Sequence, residues 1–274
     1  MASSTLEVGA HEVVSHAEWL EARKEHLVRE KEFTRQRDEL SRERRALPWE
    51  KVEKRYEFDA TKFDGTSSRV KLADLFGGRS QLIVYHFMFA PGWQHGCQSC
   101  SYWADHFDSS TIHLANRDTT LVVVSRAPLA EIEAFKKRMG WKFQWVSSFG
   151  SDFNFDYHVS FAPEDRVGGK VYYNYVNDVF PPDEAPGFSV FARDAAGEVF
   201  HTYSTYGRGI DILNGTYNFL DLVPKGRDED DLAFSMSWVR HHDRYTEGYF
   251  VDPVQQYEQP KNSAASCCSH ESHE

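Results

Sequence analysis

The sequence predicts an α/β domain, and three observations carry that expectation. Two short apolar runs, 81–89 and 119–126, are each followed by a helical stretch, the β-α-β-α alternation of parallel strands buried on both faces. Two further runs, 188–194 and 198–203, flank the turn Ala195-Ala196-Gly197 and read as an antiparallel hairpin. Between the first run and its helix stands Cys97-Gln98-Ser99-Cys100, two thiols three residues apart.

Along the chain, residues 1–14 show no period and are expected to be flexible. From Ser15, a helix N-cap, to Leu47 before Pro48, the chain is charged, with sparse apolar positions at Trp19, Leu20, Leu27, Phe33, Leu40 and Leu47. This predicts a helical arm over 15–50, as one helix or two, whose thin apolar stripe calls for cover from the body or from a second copy in a homodimer. The main domain is expected over 51–247. It starts with a strand at Tyr56-Glu57-Phe58-Asp59, a turn at Asp64-Gly65 and a short strand with a helical turn at 70–78. Strand 81–89 then leads into a helix at 97–115, a strand at 119–126 and a helix at 128–139. Residues 141–180, rich in Trp, Phe and Tyr, read as an irregular insertion with short strands or helical turns that covers the sheet. Further helices are expected at 209–217 and 230–242, and 248–274 reads as a flexible tail containing Cys and His.

Composition narrows the function. The chain has 274 residues, enough for a large core, and 15% of them are aromatic. The net charge is −11, and the acidic excess lies outside the arm, which argues against nucleic-acid binding. No apolar run approaches the ~18 residues of a membrane span, and Met1-Ala2-Ser3-Ser4-Thr5 lacks the basic start of a secretory signal, so a cytoplasmic protein is expected. The sequence contains no phosphate loop: Lys225-Gly226-Arg227-Asp228-Glu229-Asp230-Asp231 lacks the glycine spacing and reads as a turn into a helix.

The chemistry centres on Cys97 and Cys100. A helix start directs unpaired N–H groups and partial positive charge at the first sulfur and favours its thiolate, and His95 could add to this when protonated. Arg208 and Asp211 read as a pair that could also anchor an anion. The alternative is a metal site. The ligand pool is Cys97, Cys100, His86, His95, His158, His201, His241 and His242, with Cys267, Cys268, His270 and His273 in the tail; copper or zinc would suit such donors.

The order of a strand, a loop with Trp93, a CxxC helix, a parallel strand and a hairpin preceded by Pro186 is that of the thioredoxin fold. Trp93-Gln94-His95-Gly96-Cys97-Gln98-Ser99-Cys100-Ser101-Tyr102-Trp103-Ala104-Asp105, the runs 187–194, 201–211 and 217–229, and Trp238-Val239-Arg240-His241-His242-Asp243 carry a more specific likeness. Over about residues 13–246 the chain resembles a bacterial and fungal thioredoxin-like family catalogued as a domain of unknown function. The resemblance implies a thioredoxin-like fold with an N-terminal arm and an aromatic insertion, and a redox role on a disulfide or peroxide of a protein or small molecule. It also implies that Cys97 attacks and Cys100 resolves; Trp93, Pro186, His201, Tyr203 and Arg208 are the residues expected to meet or support the substrate. Pro186 is the candidate for the cis-proline that faces the dithiol in this fold. Gln98-Ser99 in place of Gly-Pro, and a longer loop before Cys97, set the chain apart from ordinary thioredoxin.

Overall fold

The computed structural model describes residues 11–245 apart from 63 and 233. The expected start of the flexible N-terminus and the tail at 248–274, with Cys267, Cys268, His270 and His273, lie outside the described residues. The chain divides at Trp49/Glu50 into two compact units.

The first unit is one helix, α1 (His16–Arg45). Ser15 caps it: the hydroxyl accepts from the Glu18 N–H at 3.4 Å, and the Glu18 carboxylate accepts from the Ser15 N–H at 3.0 Å. None of its residues is buried, and Trp19, Phe33 and Leu40 are all more than half exposed.

The second unit is built on an eight-stranded sheet. Its strands are β1 (Glu50–Lys51), β2 (Glu57–Thr61), β3 (Ser67–Lys71), β4 (Gln81–His86), β5 (Thr119–Ser125), β6 (Gln144–Ser147), β9 (Gly187–Arg193) and β10 (Val199–Tyr206). A separate hairpin, β7 (Lys170–Tyr173) with β8 (Val176–Val179), lies between β6 and β9 in sequence. The order across the sheet is β1-β10-β9-β4-β5-β6-β2-β3. β4, β5 and β6 run parallel, and β9 and β10 form the antiparallel hairpin beside β4. The crossovers are α2 (Gln98–Ala104) with α3 (Phe107–Ala115), then α4 (Leu129–Met139), closed by Gly140 at φ 71°. After α5 (Phe153–Asp156) and the hairpins comes α6 (Gly215–Leu220). The β5-β4-β9-β10 core, with the helical crossover after β4, is the thioredoxin fold.

Strand alternation sorts the core into two faces. Leu82 and Val84 of β4 join Val122, Val124, Phe58 and Phe153 on one face. Tyr85, with Phe87 just past the strand, joins Val123, Trp145, Cys97 and Cys100 on the other.

The structure departs from the expected elements in three places. The helix expected over 97–115 is broken at Asp105 and His106, where the Asp105 carboxylate accepts from Trp141 Nε1 at 2.8 Å and bonds His242 Nδ1 at 2.7 Å, anchoring the break. The aromatic segment 141–180 is only partly an insertion, since β6 extends the main sheet. The helix expected at 230–242 does not form among the described residues. Glu229 instead gathers the Tyr217 hydroxyl, Trp238 Nε1 and the Met236 N–H, at 2.9, 2.6 and 3.2 Å, and folds the segment into turns.

Candidate dithiol site

Cys97 and Cys100 meet because the chain leaving β4 passes under the start of α2. Met88 brackets the pair: its carbonyl accepts from the Cys97 N–H at 3.0 Å, and its N–H donates to Cys100 Sγ at 3.4 Å. Cys97 is the N-cap of α2, and its sulfur accepts from the Cys100 N–H at 3.4 Å. The Tyr85 hydroxyl donates to the Cys100 carbonyl at 3.3 Å. Neither cysteine is in a disulfide, and both are deeply buried, at 2% and 1% exposure.

A cleft of about 880 Å³ opens on one of them. Cys100 forms part of its wall with Met88, Trp103, Pro186, Ile210 and Tyr217, whereas Cys97 does not. Burial, followed by the neighbouring Cys97, pushes the Cys100 thiol well up, although the Met88 N–H and Tyr85 hydroxyl favour its thiolate. Burial likewise pushes the Tyr85 phenol well up, so both groups are protonated in the reduced state at neutral pH.

The loop before Cys97 is held by the 238–243 segment, which the sequence offers as part of a helix, a family motif and a source of metal ligands. His241 Nε2 bonds the Gly96 carbonyl at 2.9 Å, and its Nδ1 lies 3.2 Å from Arg138 Nη2. These two partners fix the tautomer: Nε2 carries the proton and Nδ1 accepts. Burial drives the ring down to about 4, so it is neutral. Arg138 also pairs with both oxygens of Asp243, at 2.8 and 2.9 Å. The signal was present in the 238–243 motif, but nothing local shows that it reaches back to Gly96. Met88 and Tyr85 were likewise read only as parts of an apolar strand.

The other expected site residues separate. Trp93 is buried in the same core cluster as the two thiols. His95 stacks on Phe135 and meets His241 edge-on; burial, then Arg138 and Arg244, lower its pKa and favour the neutral ring over the expected imidazolium. Pro186 does reach the cleft beside Cys100, but its peptide bond is trans, the default for X-Pro. The preceding turn is anchored by Glu184, fully buried between Arg126 Nε at 2.8 Å and the Ser160 hydroxyl at 2.6 Å. Arg208 also lines the cleft and pairs with Asp211 at 3.2 Å. Tyr203 sits in register with Val190 at a bulge in β10, away from the cleft wall.

His86 and His201 are not placed with the thiols. His86 Nε2 bonds Ser189 Oγ at 2.8 Å, Ser189 bonds Ser204 at 2.8 Å, and Ser204 bonds His201 Nε2 at 2.7 Å. Their rings pack against Phe153, Tyr157 and Phe191, the face opposite Cys97 and Cys100. The ligand set Cys97, Cys100, His86 and His201 is therefore split by the sheet: an even-numbered β4 side chain cannot share a face with the thiols beneath Tyr85 and Phe87. Among the described residues no three His, Cys, Asp or Glu side chains are grouped to hold a metal ion. Nor is any described helix long and apolar enough to cross a membrane.

Fold and site together define a thioredoxin-fold protein with a buried dithiol beside a large cleft. The chain belongs to the family described as bacterial protein of unknown function (DUF899), whose profile matches residues 8–245. No curated protein matches it. Among solved structures it is similar to the mitochondrial 2-Cys peroxiredoxin of Plasmodium falciparum, at 14% identity and a TM-score of 0.38 over 63% of this chain and 94% of that one. Thioredoxin peroxidase I of Plasmodium yoelii matches at 16% identity and 0.40, over 64% of this chain and 91% of that one. Peroxidoxin BcpB of Mycobacterium tuberculosis matches at 15% and 0.36, over 62% and 95%. Likeness at this level carries no information on activity.

Proposed function

We propose that this protein is a thiol-disulfide oxidoreductase working through Cys97 and Cys100. One observation supports this above all: two reduced thiols joined by the Cys100 N–H to Cys97 Sγ contact, one of them on the wall of an 880 Å³ cleft. Because the cleft meets Cys100, attack on an external substrate falls to Cys100 and resolution to Cys97, the reverse of the order implied by ordinary thioredoxin.

The Cys100 thiolate attacks one sulfur of a substrate disulfide; the S–S bond breaks, and the leaving thiolate takes a proton. Cys97, giving up its proton, then attacks Cys100 Sγ, forming the intramolecular disulfide and expelling the second substrate thiol. The substrate gains two electrons and two protons, and the dithiol loses them. With a hydroperoxide, Cys100 becomes a sulfenic acid and releases an alcohol; Cys97 then condenses with it and releases water. A thiol reductant resets the pair in either case.

Mass spectrometry of the reduced protein after treatment with hydroxyethyl disulfide tests this. Loss of two hydrogens and a Cys97–Cys100 cross-linked peptide are expected. Cys97→Ser should trap the substrate half on Cys100, and Cys100→Ser should lower the rate by about 100-fold or more. Failure of the disulfide to form, or an unchanged rate in Cys100→Ser, overturns the proposal. Because burial raises the Cys100 thiol, the rate should climb with pH from 6 to 9.

A further inference from the structure

The cleft that reaches Cys100 is apolar inside and acidic where it opens. Its inner wall includes Met88, Trp103, Phe180 and Ile210. Nearer solvent it carries six carboxylates, at 211, 221, 228, 229, 230 and 231, against three basic groups, Arg208, Lys225 and Arg227. The basic groups do not balance the rim. Arg227 is held by Asp211 at 2.9 Å and by both oxygens of Asp221, at 2.8 and 2.9 Å, with its guanidinium 3.9 Å from the Tyr217 ring centre. Arg208 pairs with Asp211. Glu229 Oε1 accepts from three neutral donors, the Tyr217 hydroxyl, the Met236 N–H and Trp238 Nε1. Asp228, Asp230 and Asp231 remain: all three are exposed and have no ion-pair partner among the described residues.

We infer that the cleft selects disulfides that carry positive charge beside the S–S bond, such as a basic peptide loop, over anionic ones. The inference rests on the dithiol reading above and adds its substrate class. Three uncompensated carboxylates at the mouth raise the local concentration of a cationic substrate and lower that of an anionic one. Close to the low-dielectric wall the field is less screened than on an open surface, and it reaches further at low salt. The volume admits a peptide segment, and the apolar wall can receive the aliphatic stems of Lys and Arg. The reaction is the exchange written above: two electrons pass from the dithiol to the substrate disulfide, and one turnover needs no other reductant.

The experiment uses the full chain, reduced and freed of reductant, and three small disulfides: dicationic cystamine, neutral hydroxyethyl disulfide and dianionic dithiodiglycolate. Each single-turnover rate is divided by that of the same disulfide with 2-mercaptoethanol, which removes intrinsic reactivity. At low salt, cystamine should exceed dithiodiglycolate by about tenfold or more, with the neutral compound between them. The spread should shrink at high salt and in the triple variant Asp228→Asn, Asp230→Asn, Asp231→Asn, while the neutral rate holds within about twofold. Equal normalised rates, or faster reaction of the dianion, overturn the charge selection and leave the dithiol reading standing. No oxidation by any of the three compounds overturns the dithiol reading itself.

Discussion

The two faces of the central sheet use histidine and hydroxyl groups in opposite ways. On the face carrying Cys97 and Cys100, polar groups hold backbone: His241 grips Gly96, Tyr85 grips the Cys100 carbonyl, and Met88 brackets both thiols. On the other face, His86, Ser189, Ser204 and His201 bond one another in a side-chain chain, which continues to the exposed Glu50 at 3.6 Å from His201 Nδ1. His86 Nδ1 has no partner among the described residues, a cost the fold carries inside an aromatic cluster. The difference teaches that a histidine count says little about a site until strand alternation assigns each ring to a face.

The largest expected effect that tests this contrast comes from Gly96→Ala. The added methyl would stand 2.6 Å from Phe87 Cε1 and 2.8 Å from Phe135 Cε1, so the dithiol loop or the rings must move. A loss of about 1–3 kcal/mol in denaturant unfolding is expected, together with altered thiol alkylation. Ser204→Ala, on the other face, should leave alkylation unchanged; if it does not, the two faces are coupled.

Acid should weaken both faces, and the variants tell them apart. His86 is held neutral by burial, with its pKa down at about 3 against an ordinary 6.5. The unfolded chain therefore binds the proton first. This stabilising contribution is complete above pH 6.5 and is lost as pH falls toward 3, the loss reaching about 2 kcal/mol at pH 5. His241, at about 4, acts in the same direction. His86→Phe and His241→Phe should each flatten the fall in stability between pH 7 and 5, measured by urea unfolding. Only His241→Phe should also speed alkylation of the dithiol, because only it frees Gly96.

The smallest effect belongs to Arg208→Ala. Its side chain is 86% exposed, and its bond to Asp211 is backed by Arg227 on the same carboxylate. Stability should change by less than about 0.5 kcal/mol, as for other exposed pairs. A larger loss would show that the cleft mouth depends on that side chain.

Much of the fold was legible. The parallel pairing of β4 with β5 and the β9-β10 hairpin follow from apolar runs of strand length and a turn with glycine, both local signals. The Ser15 capping box is also local. The break between α2 and α3 was not legible, because the residues that anchor Asp105 there, Trp141 and His242, lie 36 and 137 positions away. The missing helix at 230–242 has a similar cause: Glu229 draws Tyr217, Met236 and Trp238 around one carboxylate, and those bonds replace helical ones. That a short strand at 144–147 joins the main sheet instead of covering it was not legible, because its four residues sit among aromatics that hide the alternation.

By itself the sequence determined the α/β order and the place of Cys97 and Cys100 at a strand-to-helix junction, since strand length, turn residues and motif spacing act over a few positions. Only the tertiary structure decided which thiol meets the cleft, which face each histidine occupies, and that the 238–243 segment holds the dithiol loop. Those outcomes depend on contacts between residues up to 145 apart. Such contacts are set by how the faces of the sheet are covered, a property of the packed chain and of no segment within it.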